Sequence, residues 1–427
     1  MLVQWYYWIS EIRTTELIGM MAGFLLIDGP RYALSRVLVL SHDLVVSFWK
    51  LLSGTHSREF IHCPSVTVII AGYNESETIS ATLNSVYASY PRLDIVVVDD
   101  GSKDDMALIA SAFARGKPNV TVLRRSQRGG KSSAMNYALR FSAGEIVVCL
   151  DADSSLGTNA LWEIVQPFQD PQVGIVSASI LPRNPWVNIW TWMQSYEYLH
   201  TIVVGREVAQ RFGILSIASG AFAAIRREAM KPTGAWDVGP PEDFDLTLRI
   251  LRSGSKIKFT RYAQCYTDMP TTLLGLIKQR MRWDQGAVVR NFLRKHFEML
   301  QPWKPNGSMS NFLIAVEGLV INLCCPLALA VYCVCLLNKY PSDFTNVAIT
   351  IYVISAFFEL LQVITLLYYS DNIRRDAVIC LVWPFMPFYQ LLLLGVRLMS
   401  NLQELIWRVS YKDNYVPKHV REATWKW

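Results

Sequence analysis

The chain has 427 residues, a formal net charge of +6, and 52% hydrophobic against 18% charged residues. An ordinary soluble domain carries roughly 25% charged residues, so the composition excludes a wholly soluble protein and fits a soluble domain joined to a membrane part. Lys and Arg are dispersed, with no run of five or six, which argues against nucleic acid as a partner and for the basic bias of cytoplasmic loops.

Residues 1–60 contain apolar runs at Leu17–Ile27 and Tyr32–Leu52, broken by Asp28, Pro30 and Arg36. A helix crossing a bilayer needs about 20 apolar residues, so this region reads as one span plus an interfacial helix. Leu17–Ile27 is not followed by a small-residue cleavage site and does not read as a secretory signal. The eight cysteines show no CxxC spacing, and Cys324, Cys325, Cys333 and Cys335 share one apolar stretch; they read as unpaired thiols in a reducing compartment.

Residues 61–275 change character. Short apolar runs at Val66–Ala71, Ile95–Val98, Val120–Leu123, Ile146–Leu150 and Val173–Ser177 alternate with helix-length segments such as Thr78–Ser89 and Ser132–Phe141. That alternation predicts an α/β domain, a mostly parallel sheet with helices on both faces, whose ligands bind beyond the carboxyl ends of the strands. Residues 276–305 read as interfacial and amphipathic. Residues 306–400 hold apolar stretches at Phe312–Leu337, Val347–Tyr369 and Ala377–Leu398, read as transmembrane helices. Residues 401–427 form a mildly basic tail. Arg374 and Arg375 mark the loop before the last stretch as cytoplasmic; the tail carries the same mark, and one further span between them does not reconcile the two.

Polar residues collect just after the strands. Ala71-Gly72-Tyr73-Asn74-Glu75 ends the first one, either as a ligand floor or as a capped strand-to-helix turn. Asp99-Asp100-Gly101-Ser102 ends the second; the sequence suits a turn, but two adjacent carboxylates at a buried strand tip call for a ligand donor or a metal. Arg128-Gly129-Gly130-Lys131-Ser132 lacks the first glycine of a nucleoside-triphosphatase loop, because position 125 is Arg. A helix amino terminus with a lysine nearby still suits a diphosphate. Asp151-Ala152-Asp153 follows another strand, where alternation sets both carboxylates on one side as hard ligands for Mg2+ or Mn2+. Pro240-Pro241-Glu242-Asp243-Phe244-Asp245 is either an acidic helix start or the carrier of a general base. Gln279-Arg280-Met281-Arg282-Trp283, continued by Arg290 and Arg294, reads as a basic amphipathic helix on the bilayer. Within it Arg282 suits a diphosphate and Trp283 a sugar ring.

In this order, Asp-Asp-Gly-Ser, Asp-Ala-Asp, Glu-Asp and Gln-Arg-Met-Arg-Trp resemble the family-2 inverting glycosyltransferases in their processive membrane branch, the cellulose, hyaluronan and poly-N-acetylglucosamine synthases. The resemblance covers about 62–300, and the membrane layout is most similar to the poly-N-acetylglucosamine synthases. It implies a plasma-membrane (bacterial inner-membrane) multi-pass enzyme with a cytoplasmic catalytic domain. Such an enzyme polymerises a β-linked polysaccharide from UDP-glucose or UDP-N-acetylglucosamine and passes it across the bilayer. It further implies Ala71, Tyr73, Glu75 and Asp100 at the uridine end of the donor, and Lys131 and Arg282 at its diphosphate. Asp153 would ligate Mg2+ or Mn2+ with Asp151 in support, Ser219 and Gly220 would floor the acceptor site, and Trp283 would be the acceptor platform. Asp243, beside Glu242, would be the base. Partners implied are the UDP-sugar, the growing polysaccharide, the lipid bilayer and a small membrane or export subunit. Trp190, Trp192 and Tyr196 are candidates to line the polymer's path. Pro241 stands where cellulose synthases carry Thr, and no Phe-x-Val-Thr-x-Lys loop is present. The alternative is transfer of one sugar to a polyprenyl phosphate or other lipid acceptor.

Overall fold

In the computed structural model the described residues are 2–11, 35–53, 60–239, 241–304, 307–339, 341–413 and 416–424. The Leu17–Ile27 run lies outside them, as does Pro240.

One eight-stranded sheet organises the catalytic domain, in the order β3-β2-β1-β4-β7-β6-β8-β5. Its strands are β1 Val66–Gly72, β2 Leu93–Asp99, β3 Val120–Arg124, β4 Ile146–Asp151, β5 Ser155–Leu156, β6 Val173–Pro182, β7 Phe222–Arg226 and β8 Lys256–Thr267. The runs of Val and Ile that mark β1, β2 and β4 are buried on both faces, as parallel strands covered by helices require. Pairings β1–β2, β1–β4, β2–β3 and β6–β8 are parallel, whereas β7 runs antiparallel between β4 and β6. The sheet is therefore mixed. β7 was not legible as a strand because Phe-Ala-Ala-Ile-Arg is short and rich in alanine, a residue with little strand preference. β8 was missed because polar residues interrupt it along its length.

Two apolar cores flank the sheet. Ile70, Val97, Leu150 and Phe168 lie in one, and Ile69, Val96, Met135 and Leu246 in the other. Register carries function directly: Ala71 stands beside Val98 on one side and Asp151 on the other, and Gly72 beside Asp99. The carboxyl ends of three neighbouring strands thus form one edge, at which every polar motif of the first half arrives.

Met309–Cys335 and Phe344–Tyr368 are long and apolar enough to cross a membrane, with mean hydropathies of 2.2 and 2.1. Ile373–Cys380 and Trp383–Trp407 reach that standard only as a pair, bent by 41°. The helix Ser35–Ser53 does not reach it among the described residues; it includes Arg36 and Asp43 and packs on the catalytic domain, with Asp43 bridged to Arg211 at 3.2 Å. The last long helix, Met386–Trp407, is tied to the catalytic domain at both ends. Tyr389 donates to Glu197 (2.6 Å), Arg397 faces Asp284 (3.6 Å), Ser400 donates to the Met281 carbonyl (3.2 Å), and Glu404 accepts from Arg294 (2.9 Å). Its other side leaves Phe388, Leu391, Met399 and Ile406 exposed.

Trp190, Trp192 and Tyr196 do not form an open lining. Tyr196 is fully buried, its hydroxyl on Glu359, and the Trp192 indole donates to the Ile379 carbonyl. These rings fasten the catalytic domain to the membrane helices. Arg36 lies in the same joint, donating to Gln362 and to the His200 carbonyl.

Gly144 sits against the start of β1, its N–H donating to Thr67 Oγ1 (2.9 Å). A β-carbon there would lie 2.5 Å from the Thr67 backbone nitrogen. Gly144→Ala is expected to cost about 1–3 kcal/mol by overpacking, measured as earlier thermal inactivation of the detergent-solubilised protein.

Candidate active site

At the tip of β2 the two adjacent aspartates separate in role. Asp99 is fully buried, accepts from the Ser102 N–H (2.9 Å) and has Arg124 at 3.3 Å. Asp100 turns to the Arg125–Lys131 loop, accepting from the Gly129 N–H (2.9 Å), the Gly130 N–H (2.6 Å) and Arg125 (3.0 Å). Gly130 holds φ at +84°, a value that favours glycine, and Lys131 follows as the first residue of the helix Lys131–Leu139. Burial raises the Asp100 carboxyl above its usual range, against those amide and guanidinium donors. The repulsion expected between neighbouring carboxylates is thus relieved by the protein itself.

Arg128 from the same loop lies over the Tyr73 ring at 4.1 Å. Asn74 takes a left-handed φ of 60°, held by Ser102 and Lys103. Glu75 accepts from Thr78 (3.1 Å); burial first, and then the charge of Asp153, raises its carboxyl. Asp153 is raised in turn by burial and by Asp151. Glu75, Asp151 and Asp153 therefore share one field of negative charge.

Lys131 is the hub. Its ammonium donates to Asp151 and to the Gly220 carbonyl (3.3 Å), and stands 3.9 Å from Glu242. Burial alone would lower its basicity; the charges of Asp151 and Glu242, then Asp243, outweigh that and raise it. The loop before β7 passes so close that a β-carbon on Gly220 would lie 3.2 Å from the Lys131 nitrogen and 3.3 Å from Asp243 Oδ2. A side chain there would push the Lys131 or Asp243 side chain by a few tenths of an ångström. The Gly220 N–H donates to Asp243 Oδ2 (2.7 Å) and the Phe244 N–H to Oδ1 (2.7 Å), which fixes the carboxylate in orientation. Ser219 accepts the Phe222 N–H at its carbonyl, closing the same turn. Glu242 opens the helix Glu242–Arg252; burial and Asp243 raise its carboxyl, against Lys131.

Arg282 reaches a small cavity of about 40 Å³ lined with Gly129, Gly130, Lys131 and Glu242. Trp283, 44% exposed, follows Arg282 on the helix Leu273–Asp284, its ring 6.5 Å from that of Tyr198. Arg280 lies behind the Trp283 ring at 4.3 Å, buried and ion-paired with Glu197 (2.7 Å). Arg280 and Arg290 thus face protein rather than bilayer; both are 5% exposed. The helical spacing beyond Trp283 also stops short: the helix ends at Asp284, and Val289–Lys295 is a π-helical turn.

Three participants carried no sequence signal. Arg206, half-buried, donates to Ser177 and Ala178; desolvation draws it down to about 10, with the charges of Asp243 and Tyr198 opposing. Glu197 holds Arg280, which lies against the Trp283 ring. From the tail, Asp413 and Val416 complete the wall of the Arg282 cavity, with Pro417 lying on Gly130. None sits at a strand end, where sequence reasoning looks for ligands.

Among the described residues, no group of three or more His, Cys, Asp or Glu side chains is arranged to hold a metal ion. Two adjacent carboxylates in a negative field suit instead a cation that brings most of its ligands with it, as Mg2+ does when bound to phosphates.

Residues 64–286, just over half of the chain, match the model for the glycosyltransferase-like family 2. The protein belongs to that family and is a glycosyltransferase. It is 32% identical over 233 residues to the poly-beta-1,6-N-acetyl-D-glucosamine synthases of Staphylococcus aureus and Staphylococcus epidermidis, a match covering 53% of this chain and 56% of theirs. The chain thus aligns with little more than half the length of these curated relatives. A mannosyltransferase from Pyrobaculum calidifontis, solved with GDP-Man and Mn2+, shares the fold at a TM-score of 0.58 and 23% identity, over 88% of this chain and 99% of that one.

The Asp100 clasp makes a direct expectation. Hydrogen bonds to a charged group are worth about 1.5–3 kcal/mol net, so Asp100→Ala should free the Arg125–Lys131 loop. Trypsin cleavage after Arg125, Arg128 or Lys131 should quicken by roughly tenfold or more, read by mass spectrometry of timed digests.

Proposed function

We propose that this glycosyltransferase polymerises a β-linked polysaccharide from a UDP-sugar, UDP-N-acetylglucosamine being the first to test, by a single inverting displacement at Asp243. The observation that carries the reading is the convergence of Lys131, Asp151, Glu242 and Asp243 at one point, with Arg282 on the cavity that Lys131 and Glu242 line. Similarity to the staphylococcal poly-N-acetylglucosamine synthases supports the sugar and the polymer.

The acceptor hydroxyl stands over Trp283 and gives its proton to Asp243, whose two oxygens are already aimed by the Gly220 and Phe244 amides. Preset orientation of this kind spares the reaction the cost of arranging its base. Lys131 and Arg282 bind the departing diphosphate; Lys131 donates to Asp151, and a phosphate oxygen takes that carboxylate's place when the donor binds. Tyr73, Glu75 and the loop fastened by Asp100 receive the uridine end. Mg2+ or Mn2+, held by Asp153 and Asp151, would add neutralising charge at the diphosphate. One displacement converts an α-linked donor into a β-linked product.

Asp243→Asn should lower kcat by about 10²–10⁴-fold, the usual worth of a general base, with the donor KM little changed. The assay gives membrane vesicles radiolabelled UDP-N-acetylglucosamine, UDP-glucose or GDP-mannose with either metal, then sizes the product on a gel. Near-normal transfer by Asp243→Asn sinks the base assignment; a single-sugar lipid product sinks polymerisation.

The chain's arrangement in the membrane follows from the last long helix. Because Tyr389 and Glu404 both meet the catalytic domain, Met386–Trp407 lies along the cytoplasmic face rather than crossing it, its apolar side on the leaflet. That reading puts the Arg374–Arg375 loop and the basic tail on one side. Single cysteines introduced at 371 and 418 in a cysteine-free background should take an impermeant maleimide from the catalytic face, and one at 342 from the opposite face. Opposite labelling of 371 and 418 would return the helix to a full span.

A further inference from the structure

The helix that begins with Glu242 and Asp243 carries a third acid, Asp245, which points away from the site. It is 3% exposed, and every donor around it comes from a fixed place. Asp245 Oδ1 accepts from His296 Nε2 (2.9 Å) and Lys295 Nζ (2.8 Å), and Oδ2 accepts from Arg249 Nε (2.9 Å). His296 has no exposed surface. Its Nδ1 lies 3.0 Å from Arg252 NH1, and a guanidinium only donates, so Nδ1 accepts and the ring proton sits on Nε2, aimed at Asp245. Burial, with Arg252 and Lys295, also lowers the histidine's basicity against the pull of Asp245, in the same sense as the neutral ring that the Arg252 contact requires. A neutral histidine with one donor and one acceptor, both engaged, is a rigid spacer between Arg252 and Asp245.

The same turn reaches the loop before the helix. Lys295 also binds Asp237 (2.5 Å), and Arg290 donates to the Val238 carbonyl (3.0 Å) while lying so close to Gly239 that a β-carbon there would meet its guanidinium. On its far side Arg294 bonds Glu404 through both the side chain and the backbone carbonyl, and Glu404 has no exposed surface. The Val289–His296 turn is therefore bolted to both flanks of Glu242-Asp243 and to the last long helix.

We propose that Asp245, His296 and Lys295 are positioning residues for Asp243, setting the carboxylate against the acceptor from a mount on the helix Met386–Trp407. The inference rests on reading Asp243 as the base. Displacing a catalytic group by about 1 Å costs on the order of a hundredfold in rate while leaving donor contacts intact.

The test uses the full-length protein in membrane vesicles, with kcat, donor KM and UDP protection against thermal inactivation measured for each variant. His296→Ala is expected to lower kcat by roughly ten- to a hundredfold, with donor KM and UDP protection within about twofold of the parent. His296→Gln, which keeps one donor for Asp245 and one acceptor for Arg252, is expected to recover kcat to within about threefold. Lys295→Met, read the same way, serves if His296→Ala does not accumulate. A parental kcat in His296→Ala and Lys295→Met, with Asp243→Asn inactive, overturns the positioning role alone. Equal loss in the Ala and Gln variants, or kcat and donor protection falling together, overturns it as well, by reducing the cluster to general stability. Full activity of Asp243→Asn overturns the base reading and this inference with it.

Discussion

One ammonium group holds the site together. Lys131 begins a helix, Asp151 ends a strand, and Glu242 and Asp243 start a helix a hundred residues later; only the Lys131 charge makes their approach tolerable. Carboxylates at this spacing in a region of low dielectric repel one another unless a cation or a proton intervenes. Burial works against the charge on Lys131, so the arrangement persists only because the carboxylates favour its protonated form in return. The surroundings are built to match: Gly220 leaves the Lys131 and Asp243 side chains room to meet its backbone, Asp100 holds the glycine loop inward, and amides aim Asp243.

Five runs are legible from sequence as β1, β2, β3, β4 and β6; for β1, β2, β4 and β6 the reason is burial on two faces, which favours Val and Ile. The antiparallel insertion of β7 was not, since its residues suit a helix as well and its place between β4 and β6 is set by long-range packing. In the site, short acidic motifs announced themselves: Asp151 closes β4 and Asp153 follows it, while Glu242 and Asp243 open a helix after a proline. Their neighbours from elsewhere in the chain did not. Arg206, Glu197 and Asp413 are isolated charges in sequence, and only the folded chain brings them to the site.

Two readings changed character rather than place. Asp100 looked like a donor ligand and instead spends its lone pairs on the loop that carries Lys131. The arginines after Gln279 looked like a bilayer-facing stripe, yet Arg280 and Arg290 are buried. Helical spacing alone reports which residues share a face, not whether lipid or protein meets it, and the π-helical turn at 289–295 breaks that spacing where the buried ion pairs begin.

The tail adds a temporal dimension. Asp413 and Val416 wall the cavity that Arg282 and Lys131 share, and Pro417 rests on Gly130. Those residues leave the ribosome after Met309–Cys335 and Phe344–Tyr368, so the domain's sheet has all its strands long before its cavity has all its sides. The cavity's last wall is therefore supplied from beyond the two apolar helices, so its completion waits on the placing of everything between them and the tail.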